Sequence, residues 1–218
     1  MEAGTLARMG AVAEQHWGLL TTAEAAEVGV SRNQLSRLAV AGALTRVGHG
    51  VYRMPGSPET EHELVYATWL ALGGARYQPR TVPPVVAAGA TAATLHGIGD
   101  FRPDGYDFVV GARKATRLAA VTLRIRRLQP DEVAFVDGMP ALTVERAVAD
   151  LVEQWTDLSL VADTVRDAID RGTLVAPSRL VGYLAPLAAA NGYPAGSGTT
   201  FAAALFELAG AEPVGAYR

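Results

Sequence analysis

Two hydrophobic periods divide this chain. Residues 31–40 place Leu35, Leu38 and Ala39 at three- and four-residue spacing, which predicts a helix with one apolar face. Arg32, Asn33, Gln34, Ser36 and Arg37 fall on its opposite face. An Ala-rich helix precedes it: Thr21 or Thr22 can accept the first free N–H groups, with Glu24 in the first turn. That helix stops at Val28-Gly29-Val30, where Gly29 can take the left-handed conformation, and Ser31 then caps the next one. After Gly42, residues 44–46 and 51–53 read as short strands reversing through Gly48-His49-Gly50. Two helices joined by a glycine turn, the second polar and basic outside and followed by a ribbon, match a winged helix-turn-helix with its recognition helix.

The flanking segments extend this pattern. Residues 6–17 are expected to form a first helix, with Leu6, Met9, Ala13 and Trp17 packing under the recognition helix. Pro55-Gly56-Ser57-Pro58 is a compact break, and Ser57, Pro58 and Glu59 have the order cap, proline, acid of a helix start. Further on, residues 82–87 are expected to be extended, 91–96 helical up to Gly97, and 106–110 a strand. Residues 121–128 alternate, with Val121, Leu123 and Ile125 on one side and Thr122, Arg124 and Arg126 on the other, as in a half-buried strand with a basic outer face. Residues 133–136 and 139–142 can form a hairpin across Asp137-Gly138. From Thr143 the stripes turn helical, first Val144, Ala147, Val148, Leu151 and Val152, then Leu158, Val161, Val165, Ala168 and Ile169 up to Gly172. Pro177 opens a further short helix, 191–200 is expected to be loop, and 201–208 a last apolar helix. The expected class is α+β: a winged helix-turn-helix over 1–56, then a mixed α/β domain over 57–218 with a small sheet and a helical C-terminal part.

Charge sharpens the first domain. The whole chain of 218 residues is half apolar and carries a net charge of −3, which excludes a uniformly basic nucleic-acid coat but not a local basic face. Between Glu27 and Glu59 there is no acid, while Arg32, Arg37, Arg46, His49 and Arg53 lie inside. Guanidinium groups gathered on one small unit supply the phosphate contacts on which nucleic-acid affinity rests. Ser31, Arg32, Asn33, Gln34, Ser36 and Arg37 are the expected groove-facing residues. Of these, Arg32 suits guanine and Asn33 or Gln34 adenine, whereas Arg46, His49 and Arg53 reach backbone or minor groove from the wing.

A second acid-free window runs from Asp107 to Asp131 and holds Arg113, Lys114, Arg117, Arg124, Arg126 and Arg127. It reads either as a second surface for nucleic acid or an acidic partner, or as a charged sheet edge that discourages strand pairing. Catalysis finds little support. With no Cys there is no thiolate chemistry and no cysteine-held metal. The four His residues make no HxxxH or HxH pattern, and His96 before Gly97 is expected to bond a carbonyl at a helix end. Asp100, Asp104 and Asp107 raise the alternative of a nuclease-like domain, but the next strand offers arginines in place of further acid and a Lys. No metal or cofactor is expected, nor a membrane span or signal segment, which leaves a cytoplasmic, non-enzymatic protein.

The run TTAEAAEVGVSRNQLSRLAVAGALTRVGHGVYRM resembles the N-terminal winged-helix domain of AbiEi-family antitoxins, including the GVSRNQLSRL turn and helix and the GHGVYR wing. Weaker motifs follow in the family's order to about residue 185: ATAATLHGI, TLRIRRL, VDGMPALTVERAVADLV and DAIDRGTLVAPSRL. The resemblance implies an antitoxin of a phage-defence toxin–antitoxin system that represses its own operon by binding double-stranded operator DNA. It also implies a C-terminal domain that counteracts an AbiEii-type nucleotidyltransferase toxin, directly or indirectly. A plain repressor without a toxin is the remaining alternative.

Overall fold

The computed structural model describes residues 3–76, 81–101 and 104–211. The fold is α+β, in two compact units, Met1–Arg76 and Tyr77–Arg218.

The first unit begins with α1 (Ala3–Ala13), a 3-10 turn (Glu14–His16) and β1 (Leu19–Thr21), a strand not expected from the sequence. Helices α2 (Thr22–Glu27) and α3 (Arg32–Val40) follow, then strands β2 (Thr45–Gly48) and β3 (Val51–Arg53) and helix α4 (Glu63–Ala71). The three strands form one antiparallel sheet in the order β1-β3-β2. Met9, Leu20, Ala25, Val30, Leu35, Leu44 and Tyr52 make the core, so the predicted apolar face of α3 is the one that packs. Two expectations change. The first helix ends at Ala13, and Trp17, in left-handed conformation, stacks on Tyr66 with ring centroids 4.1 Å apart rather than packing under α3. The helix expected to open at Ser57 starts instead after His62, and α4 packs against β2. A helix without a strongly one-sided apolar pattern is buried where an exposed sheet face needs cover. The first unit therefore continues to Arg76, past the Pro55-Pro58 break and the boundary expected after residue 56.

The second unit has a five-stranded mixed sheet in the order β6-β5-β4-β8-β7: β4 (Val85–Ala87), β5 (Tyr106–Val110), β6 (Val121–Ile125), β7 (Val133–Val136) and β8 (Met139–Leu142). Strands β5 and β6 run parallel, as do β4 and β8, and β7–β8 is the expected hairpin. Its turn holds Asp137 and Gly138 at φ 48° and 84°, as a two-residue type I′ reversal requires. Helices α5 (Gly89–Leu95), α6 (Val144–Glu153), α7 (Leu158–Asp170), α8 (Pro177–Leu184) and α9 (Gly198–Leu208) share a core that includes Val148, Val152, Val165, Leu180, Phe201 and Phe206. Residues 212–218, beyond the last expected helix, lie outside the described residues.

Candidate nucleic-acid interface

Two capping boxes position the helix pair. Thr21 Oγ1 accepts from Glu24 N–H at 3.1 Å, and Glu24 Oε2 accepts from Thr21 N–H at 2.8 Å. Burial alone raises the Glu24 carboxyl, but the His16 imidazole 3.2 Å away and hydrogen bonds from Thr21 outweigh it and lower the group from 4.5 to about 2. Gly29, at φ +85°, ends α2, and Val30 N–H returns to Ala25 O at 2.8 Å. Ser31 Oγ then accepts from Gln34 N–H at 3.3 Å while Gln34 Oε1 accepts from Ser31 N–H at 2.8 Å.

Leu35 is fully buried, whereas Ser31, Arg32, Asn33, Gln34, Ser36 and Arg37 are all exposed. Their readiness to bind differs. Gln34 Oε1 also accepts from Ser31 Oγ at 2.8 Å, and bidentate recognition of adenine needs both ends of the amide. Asn33 keeps both ends of its amide. Among the described residues Arg32, Arg37 and Arg46 make no ion pair.

The wing is tied back to α2. Thr22 N–H and Oγ1 both donate to Gly50 O, at 2.8 and 3.0 Å. At Gly50, φ is +69° and a Cβ would stand 2.6 Å from Thr22 Oγ1, so only glycine fits this approach. Arg46 and His49 are exposed, and with Arg32, Ser36, Thr22, Gly50 and Tyr52 they line a notch of about 230 Å³ between α3 and the wing. Thr22 and Tyr52 had not been expected there. They arrive through the wing's return, a long-range contact that no local pattern announces.

Arg53 is a correction. Its guanidinium pairs with Glu63 at 2.8 Å and Glu59 at 3.3 Å, with only 16% of the side chain exposed. It joins the wing to the segment leading into α4 and offers little to a duplex.

The second basic window also divides. Arg113, Lys114, Arg117 and Arg127 are exposed. Arg124 and Arg126 are not outward-facing: both bond Asp150 of α6, which is fully buried, at 2.6 and 2.9 Å. Arg126 also pairs with Glu153, and Gly89 N–H donates to Asp150 at 2.9 Å. Burial raises the Asp150 carboxyl, yet the two guanidiniums more than offset it and hold it below the ordinary range. Ile125, expected inside, is instead 62% exposed. The strand's two sides are thus assigned the other way round at this end.

Two of the acids behind the nuclease-like alternative lie in different settings. Asp104 is exposed on its loop, and Asp107 lies beside Arg124 and Asp150, where burial pushes its carboxyl up. Among the described residues no group of three His, Asp or Glu side chains could hold a metal. His96 Nε2 donates to Leu142 O at 2.8 Å, a carbonyl of β8 rather than of its own helix end. No helix among the described residues is long and apolar enough to cross a membrane.

Three comparisons bear on this geometry. A search of curated proteins finds no match. Among solved structures, the chain resembles the crystal structure of the RV2827C protein from Mycobacterium tuberculosis, with TM-score 0.54 and 18% identity over 97% of this chain and 79% of that one. That likeness concerns the fold alone. Residues 7–55 match the model of a family described as "Transcriptional regulator, AbiEi antitoxin", the stretch that builds α1 to β3. The similarity to this family lies within the first unit, Met1–Arg76.

Proposed function

We propose that this protein is a DNA-binding transcriptional regulator of the AbiEi antitoxin type, acting in the cytoplasm without catalysis or cofactor. Helix α3 enters the major groove of operator DNA, and the wing lies along the backbone. The observation that supports this best is the exposed, unpaired set Arg32, Asn33, Arg37, Arg46 and His49 on an otherwise acidic chain. The operator is that of the protein's own operon. The second unit counteracts an AbiEii-type nucleotidyltransferase toxin. Its exposed Arg113, Lys114, Arg117 and Arg127 are the surface for that partner or for further DNA.

Asn33→Ala and Arg37→Ala test the reading. Gel shifts on the upstream region and on scrambled duplex should separate them. Arg37→Ala weakens both alike and flattens the salt dependence by about 0.9 in log–log slope, the worth of one phosphate. Asn33→Ala removes roughly 1–3 kcal/mol of discrimination and narrows the gap between the two duplexes. Equal loss on both duplexes for both variants refutes the division of roles. In cells, both variants should still relieve growth arrest by the toxin, and failure to do so contradicts antitoxicity seated in the second unit.

A further inference from the structure

We infer that the notch between α3 and the wing is a seat for a single phosphate group, gripped jointly by Arg32 and Arg46 with His49 at its edge, and that in the complex this group belongs to the DNA backbone. The inference rests on the DNA-binding reading and deepens it, because it takes Arg32 away from the base edges and gives it to the backbone.

Several observations converge on it. The notch is lined by Thr22, Arg32, Ser36, Arg46, His49, Gly50 and Tyr52, with cationic or hydroxyl side chains from three separate segments and no acid. Arg32 and Ser36, one helical turn apart, share the side of α3 next to the wing, while Asn33 and Arg37 share the neighbouring stripe, farther from the buried Leu35. Arg46 Nε is steadied by Gly48 O at 3.4 Å, which leaves its terminal nitrogens to donate. Two guanidiniums with no acidic partner, held near one another in a small concavity, repel unless an anion sits between them. Planar guanidinium forks match a phosphate in pairs of parallel hydrogen bonds, with the exposed Ser36 hydroxyl at hand for a remaining oxygen. The volume of about 230 Å³ suits one tetrahedral oxyanion with part of its hydration. The place is also where a backbone strand passes when a recognition helix lies in the major groove and the wing beside it.

The test counts phosphates. Binding of the full-length protein to a mixed-sequence duplex is measured against salt for wild type, Arg32→Ala, Arg46→Ala and the double variant, each checked by circular dichroism for an unchanged fold. One shared seat predicts that each single variant weakens binding severalfold while keeping most of the slope. The double variant then loses about 0.9 in total, one phosphate. Arg37→Ala, outside the notch, removes its own share additively. A double variant that loses about 1.8, with additive single losses, means separate phosphates and overturns the seat, as do variants that bind like wild type. Both results leave the DNA-binding reading standing. A wild-type protein that shows no salt-dependent binding to any duplex overturns that reading and the seat with it. Inorganic phosphate at constant ionic strength distinguishes the source. It should not displace DNA more than chloride does, and displacement lost in the double variant assigns the seat to free phosphate instead of a duplex.

Discussion

Removing one carboxylate should uncouple the edge of the larger sheet from the helix behind it. Asp150 is fully buried and accepts from Gly89 N–H, from both terminal nitrogens of Arg124 and from Arg126. Asp150→Ala therefore strands the Arg124 guanidinium, only 23% exposed, leaves Arg126, 22% exposed, with Glu153 alone, and takes the acceptor from the first N–H of α5. Breaking a buried pair by deleting one partner costs about 3–5 kcal/mol, because the remaining charge stays desolvated. At roughly 2–4 °C per kcal/mol for a chain of this size, melting of the second unit should fall by about 6–20 °C.

The assay is thermal denaturation of the full-length protein by circular dichroism, with tryptophan emission as a second probe dominated by Trp17 and Trp69 of the first unit. Loss should appear in the second unit's transition, with duplex binding at low temperature retained. Asp150→Asn, which keeps the shape and an acceptor for Gly89, should fall between the two. Acid gives an independent check. The folded carboxyl lies below its ordinary value of 3.8, so its contribution is present above that pH and is lost as pH falls through the lower folded value. Asp150→Asn should flatten that acid limb. A loss below about 1 kcal/mol for Asp150→Ala would show Arg124 and Arg126 to be solvated, and the coupling argument would fail.

Two smaller predictions concern the first unit. Arg53→Ala should lower the melting of the first unit while leaving duplex affinity near wild type, the reverse of Arg37→Ala; a large affinity loss with unchanged stability would return Arg53 to the interface. Glu24 is held at about 2 against 4.5, so its capping contribution is complete above about 4.5 and fades as pH falls toward 2. Glu24→Gln should make the first unit's stability less dependent on pH across that window, and an unchanged acid profile would count against the His16 contact and the Thr21 bonds.

These predictions turn on which parts of the molecule were readable from its residues. Local rules worked where a few neighbours decide the outcome: Thr21 and Ser31 cap their helices, Gly29 and Asp137-Gly138 make their turns, and α6 and α7 follow their apolar stripes. They failed where charge along the chain was taken for charge in space. The acid-free window around the wing ends at Glu59, and Glu59 and Glu63 fold back on Arg53. Along β6, alternation showed that Arg124 and Arg126 share a side without telling whether that side meets water. The missing signal lay on α6, where Arg146, Asp150 and Glu153 recur at helical spacing within an otherwise buried helix. A polar stripe of that kind on a core helix needs partners, and the arginines of an adjoining strand are the available ones. The same test applies to α3 and the wing: Arg32, Arg37 and Arg46 stay exposed and without an ion pair among the described residues, while Glu24 is engaged by His16 and Glu59 and Glu63 by Arg53. Cations left over once the fold has satisfied its own carboxylates are the ones with affinity to spend on a polyanion, and in the first unit they gather around α3 and the wing.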